Sequence, residues 1–217
     1  HFPPPSRARA AGAALPALRA NLGLVLRDRL MWRWLFFLLA FDLLEAPFVL
    51  KAVWLHEEVG LSQELVGVYV ALEMGVALAS LLVLDHWLAR WSPPAILRLA
   101  IAGLAVLIPL WLLLPRVAPR FLLAVPLNFL FAVFWPIGRA QSLASVPGRA
   151  GTVVALNATF AVLPLPLLFG LLAQAMTLTT ATLVVQLSAL TLLALLVQRM
   201  PVAPTGGVPP PASRPQS

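Results

Sequence analysis

Residues 32–54 read WRWLFFLLAFDLLEAPFVLKAVW, and residues 65–84 read LVGVYVALEMGVALASLLVL. Each is long and apolar enough to cross a bilayer, which takes roughly 17–25 residues of helix. Three acids stand where the bilayer centre would fall: Asp42 and Glu45 in the first stretch, Glu73 in the second. A carboxylate in hydrocarbon is costly, so it is kept with a partner, beside a water-filled cavity or for a function. The apolar runs are continuous and rich in Leu and Ala, which predicts helices rather than barrel strands.

Four further runs of this kind follow, at 95–114, 121–137, 151–173 and 178–197. The expected fold is therefore all-α, a polytopic membrane protein with six transmembrane helices. Composition agrees. The 217 residues are 61% hydrophobic and 11% charged, with a mean hydropathy of +0.93. Soluble domains average roughly 45–50% apolar and 25% charged. With no cysteine, disulfides, thiolate metal sites and cysteine nucleophiles are excluded. The formal charge of +7 comes from 15 basic residues scattered among apolar runs, which argues against nucleic acid as a partner. His1, His56 and His86 are isolated, and no HExxH, G-x-S-x-G or Walker loop occurs. No enzyme, metal site or cofactor is expected.

The flanks differ in composition from the spans. Residues 1–31 are expected to be a cytoplasmic linker. Within them 14–29 carries Leu15, Leu18, Leu22, Val25 and Leu26 at helical spacing, as an interfacial amphipathic segment or an ordinary lead-in to the first span would. Residues 32–200 form the bundle, and the Pro-, Gly- and Ser-rich 201–217 read as a disordered cytoplasmic tail. The chain opens at His1 rather than Met, which reads as a fragment. Arginines cluster at 7, 9, 19, 27, 29 and 33, at 90 and 98, at 139 and 149, and at 199 and 214; the first connection, LHEEVGLSQE, is acidic. The positive-inside rule then puts both termini in the cytoplasm, in a plasma (inner) membrane. Arg116 and Arg120 break the pattern.

Asp42 and Glu45, three apart, share a helix face. Pro47 frees backbone groups close by, and broken helices near the midplane commonly build substrate sites. Lys51 falls on another face of an unbroken helix and is expected to snorkel to the headgroups. Gly67, Ala71, Gly75 and Ala79 recur every fourth position, which predicts close packing against another helix. Glu73 lies about 200° around from Ala71. It is expected in a polar cavity with Asp42 and Glu45, where clustered acids suggest a proton carrier. Asn128, Asn157, Thr159 and Gln186 are uncharged polar points inside later spans, expected mainly to bond helix to helix. Pro164, Pro166 and Gly170 should bend the fifth span.

The connection after the second span reads LDHWLARWSPP. Asp85 and Arg90 resemble the loop signature of the major facilitator superfamily, Gly-x-x-x-Asp-Arg/Lys-x-Gly-Arg/Lys-Arg/Lys. His86, Leu88 and Ala89 depart from it, as does Leu81 at the leading glycine. Six spans, a basic lead-in and cytoplasmic termini, over roughly 14–200, also resemble the C-terminal half of such a transporter. That resemblance implies two inverted three-helix repeats, with the first and fourth spans lining the path. Asp42, Glu45, Glu73 and Asn128 would then belong to the substrate or proton pathway, and Asp85 and Arg90 to a cytoplasmic gate. The implied function is secondary transport of a small-molecule solute by alternating access, in the lipid bilayer and with an N-terminal half of the same transporter. The other reading is a free-standing six-helix scaffold packing through the Gly67–Ala79 ladder.

Overall fold

The computed structural model describes residues 23–161 and 164–200. The readings of 1–22 and 201–217 lie outside the described residues. The described chain is helical, with no strand among the described residues. Its helices are α1 (Arg29–Glu45), α2 (Lys51–Glu57), α3 (Gln63–Leu88), α4 (Pro93–Leu113), α5 (Val117–Phe131), α6 (Phe134–Ser145), α7 (Ala150–Ala161), α8 (Leu165–Ala175) and α9 (Leu178–Gln198). Among the described residues, five helical segments are long and apolar enough to cross a membrane: Gln63–Leu88, Pro93–Leu113, Val117–Ser145, Ala150–Ala175 and Leu178–Gln198.

The first hydrophobic stretch is not one helix of 32–54. Helix α1 starts where the Asp28 carboxylate accepts hydrogen bonds from the Leu30 and Met31 amides, at 2.7 and 3.1 Å. It stops at Glu45, because Pro47 has no N–H for the carbonyl of Leu43 and its ring crowds that group. Ala46–Leu50 tighten into a 3-10 turn, and α2 resumes at Lys51. The fourth stretch, expected at 121–137, runs from 117 to 145 and breaks at Ala132–Val133. Pro136 is the cause: it cannot donate to the Ala132 carbonyl but is tolerated in the first turn of α6. The fifth is broken ahead of Leu165, with Pro164 at the cap of α8 and Pro166 in its first turn. The second extends past 84, so Asp85 and His86 form the last turn of α3 rather than a loop.

The six hydrophobic stretches thus become six segments: α1 to α2, α3, α4, α5 to α6, α7 to α8, and α9. Their packing has an exchange symmetry. The first segment packs on the sixth as the fourth packs on the third. The second packs on the fourth as the fifth packs on the first. Segments two and three meet, as do five and six; so do one and two, and four and five. The first and fourth pack mutually, and so do the third and sixth. Moving every segment three places along leaves this set of neighbours unchanged.

The core lies where α1 crosses α6. Phe41 stacks on Phe134 with centroids 5.7 Å apart, and Phe37 stacks on the same ring at 6.1 Å. Helix α3 is the opposite case. Met74 is 67% exposed and Leu82 is 82% exposed. The ladder Gly67, Ala71, Gly75 and Ala79 lies on this open side. A Cβ added at Gly67 or Gly75 would meet nothing within 4 Å. The close helix contact expected there is not made within the described chain.

Candidate functional site

The first, second and fourth segments bring a polar cluster together. Lys51 opens α2, directly after the 3-10 turn. Its Nζ donates to both carboxylate oxygens of Glu73 on α3, at 2.6 and 2.7 Å. Asn128 Nδ2 on α5 donates to Glu73 Oε1 at 2.9 Å and to its own helix at the Ala124 carbonyl, also at 2.9 Å. Lys51 and Glu73 are each only 11% exposed. Nζ also sits 3.9 Å from the centre of the Phe48 ring, a cation–π contact. Lys51 therefore does not snorkel outward; it faces inward and neutralises Glu73.

Beside this cluster is a cavity of about 370 Å³, whose lining includes Glu45, Lys51, Glu73 and Asn128. Phe41, Phe48, Phe131 and Trp135 supply aromatic wall. Glu45 also lines a second cavity of about 230 Å³, together with Asp42 and Pro166. Asp42 lines a third, of about 220 Å³, with Arg139 and Asn157. The three expected acids are thus not in one cavity. Glu45 and Glu73 share one, while Asp42 is turned to the neighbouring two. Shared residues link them: Glu45 joins the first to the second, Asp42 the second to the third, and Trp135 the third to the first.

Comparison with family models, with curated proteins and with solved structures finds no match to this chain. The site is therefore read from its own chemistry.

Glu45 is exposed to these cavities and has no hydrogen bond or ion pair among the described residues. Asn157 has both side-chain polar atoms buried and without a hydrogen-bond partner among the described residues. Asp85 and Arg90 are exposed, at the end of α3 and in the turn after it, and form no ion pair with each other or with any other described residue. The geometry thus joins Glu73 to Asn128, keeps Glu45 beside them, and leaves the Asp85–Arg90 pair apart.

Two polar residues have structural work. Gln186 is buried on α9, and its Nε2 points at the Leu44 carbonyl at 3.4 Å. That carbonyl lies next to the Pro47 break, where helical partners run out. Gln186→Leu is expected to lower the thermal stability of the purified protein by about 1 kcal/mol. An unchanged melting temperature would remove Gln186 from the support of the break. Arg120 Nε donates to the Leu114 carbonyl at 2.7 Å, with a longer bond to Leu112. Its guanidinium lies 4.9 Å from the Trp54 ring centre. Arg120 thus ties the free carbonyls at the end of α4.

Proposed function

We propose that this chain is one six-helix half of a secondary transporter that moves a small solute by alternating access. The observation that carries the reading is the Lys51–Glu73–Asn128 cluster, set beside an open cavity at the breaks of the first and fourth segments. Charge held at membrane depth beside a cavity marks a solute or ion path. The exchange symmetry supports the same reading. Successive segments joined by short loops alternate in direction, so a shift of three places reverses each one. Two inverted three-helix repeats have that property. The segments least covered by the rest of the chain, α3 and Ala150–Ala175, flank the cavities, where a second half would close the path. Coupling to protons is part of the proposal; with Glu73 paired, Glu45 and Asp42 are the carboxylates left to carry it.

The absence of cysteine makes the test clean. Ala52→Cys and Ala132→Cys, both lining the cavity, would be placed singly in the full-length protein, in a background without other cysteines. Both should react with a membrane-impermeant maleimide in sealed vesicles. A solute or conformational lock that raises one rate should lower the other. A free-standing scaffold, packed through the uncovered ladder, would leave both thiols covered by lipid or protein and unreactive.

A further inference from the structure

Within that reading, the cavity also carries a substrate class. We propose that it takes an organic cation with an apolar body, its charge on Glu45 and its body on the aromatic wall.

The charge balance decides this. The ionisable groups lining the cavity are Glu45, Lys51 and Glu73. Lys51 places its ammonium against both oxygens of Glu73, and Asn128 adds a third hydrogen bond to that carboxylate. The pair is closed on itself, and neither member offers charge to a ligand. Glu45 remains as the one lining carboxylate with no hydrogen bond or ion pair among the described residues. An anion entering here would meet that carboxylate with no free base in the cavity. A neutral solute would leave the carboxylate unmatched and less solvated. A cation satisfies it.

The walls agree. Phe41, Phe48, Phe131 and Trp135 surround the same space, and the negative face of an aromatic ring attracts cations. The protein already uses two of these rings in that way. Lys51 Nζ lies 3.9 Å from the Phe48 centroid, and the Arg139 guanidinium lies 5.1 Å from that of Trp135. A volume of about 370 Å³ is at the small end of ligand pockets. It suits a compact organic cation and excludes a peptide.

The experiment is equilibrium binding of radiolabelled tetraphenylphosphonium to the purified full-length protein in detergent. Tetraphenylborate, of the same shape and opposite charge, is the competitor. Saturable binding is expected that tetraphenylborate does not displace. Glu45→Gln should weaken it about tenfold or more, since an ionic contact in a site of low dielectric is lost. Trp135→Ala should weaken it less. Glu45 makes no hydrogen bond or ion pair among the described residues, so Glu45→Gln should fold normally, and an unchanged melting temperature checks this. Absence of saturable binding, equal binding to Glu45→Gln, or displacement by tetraphenylborate would overturn the inference. Binding is read without transport, so the two readings separate. Saturable, Glu45-dependent binding in a protein whose Ala52 and Ala132 positions stay unreactive would keep the cation site and remove the carrier. Reciprocal thiol reactivity without cation binding would do the reverse.

Discussion

Glu73→Gln should destabilise the protein by about 3 kcal/mol, toward the lower end of what removing one partner of a buried ion pair costs. The glutamine keeps the shape and can still accept from Asn128, so the loss is chiefly electrostatic. It leaves the Lys51 ammonium, 11% exposed, without its counter-charge. The double variant Lys51→Gln, Glu73→Gln removes both charges and should recover most of that loss, since two neutral amides can bond to each other. Thermal unfolding of the purified full-length protein measures both. A single variant as stable as the parent would show that the ion pair contributes nothing, against the geometry. Transport in proteoliposomes adds a second readout. If the double variant recovers stability but not transport, the charges act in the transport cycle. If it recovers both, the pair is a structural fastening between the first and second segments, and the proposed path loses its central feature.

That ion pair could not be read from the unbroken helical wheel that the sequence invites. Lys51 is six residues from Glu45 and falls on another face of an ideal α-helix. Ala46–Leu50 instead wind as 3-10, at about 120° per residue rather than 100°. Over five residues this turns α2 by roughly 100° relative to α1, and brings Lys51 inward. One signal in the sequence could have found the pair. Lys51 and Glu73 stand equally far before and after Ser62, the N-cap of α3. In an antiparallel hairpin, positions equidistant from the connection meet at the same depth.

The helices themselves were legible, because continuous apolar runs leave the backbone no way to satisfy itself in lipid except as helix. The breaks were legible only in part. Pro47 and the Pro164–Pro166 pair announce themselves, whereas Pro136, just inside the end of the 121–137 stretch, proved to lie in the first turn of α6. The ladder was legible as a surface, but not its partner. Small residues every fourth position describe a surface that another helix can approach closely, but do not say whether that helix belongs to the same chain. Asn128 was legible as a midplane polar residue, though its partner was not, since α3 and α5 are far apart in sequence.

Gly138→Val tests the crossing on which the whole arrangement turns. A Cβ at Gly138 would lie 2.8 Å from Leu38 Cδ2 and 2.9 Å from Phe37 Cε1. Phe37 is fully buried and stacked on Phe134, so it has no free space to swing into. Overpacking of this kind costs typically 1–3 kcal/mol. Here it should reach the upper part of that range or beyond, because the branched side chain adds two methyls to a contact already too close for one carbon. The expected result is a large drop in melting temperature and in the yield of folded protein. Gly75→Val is the control, since a Cβ there would meet nothing within 4 Å in this chain. If α3 faces only lipid, Gly75→Val should be silent. If a second half or a second copy packs on the ladder, Gly75→Val should weaken that association while the six-helix fold keeps its stability. A Gly138→Val protein as stable as the parent would mean that α1 and α6 do not cross this closely. The mutual packing of the first and fourth segments, about which the exchange symmetry is centred, would then fail with it.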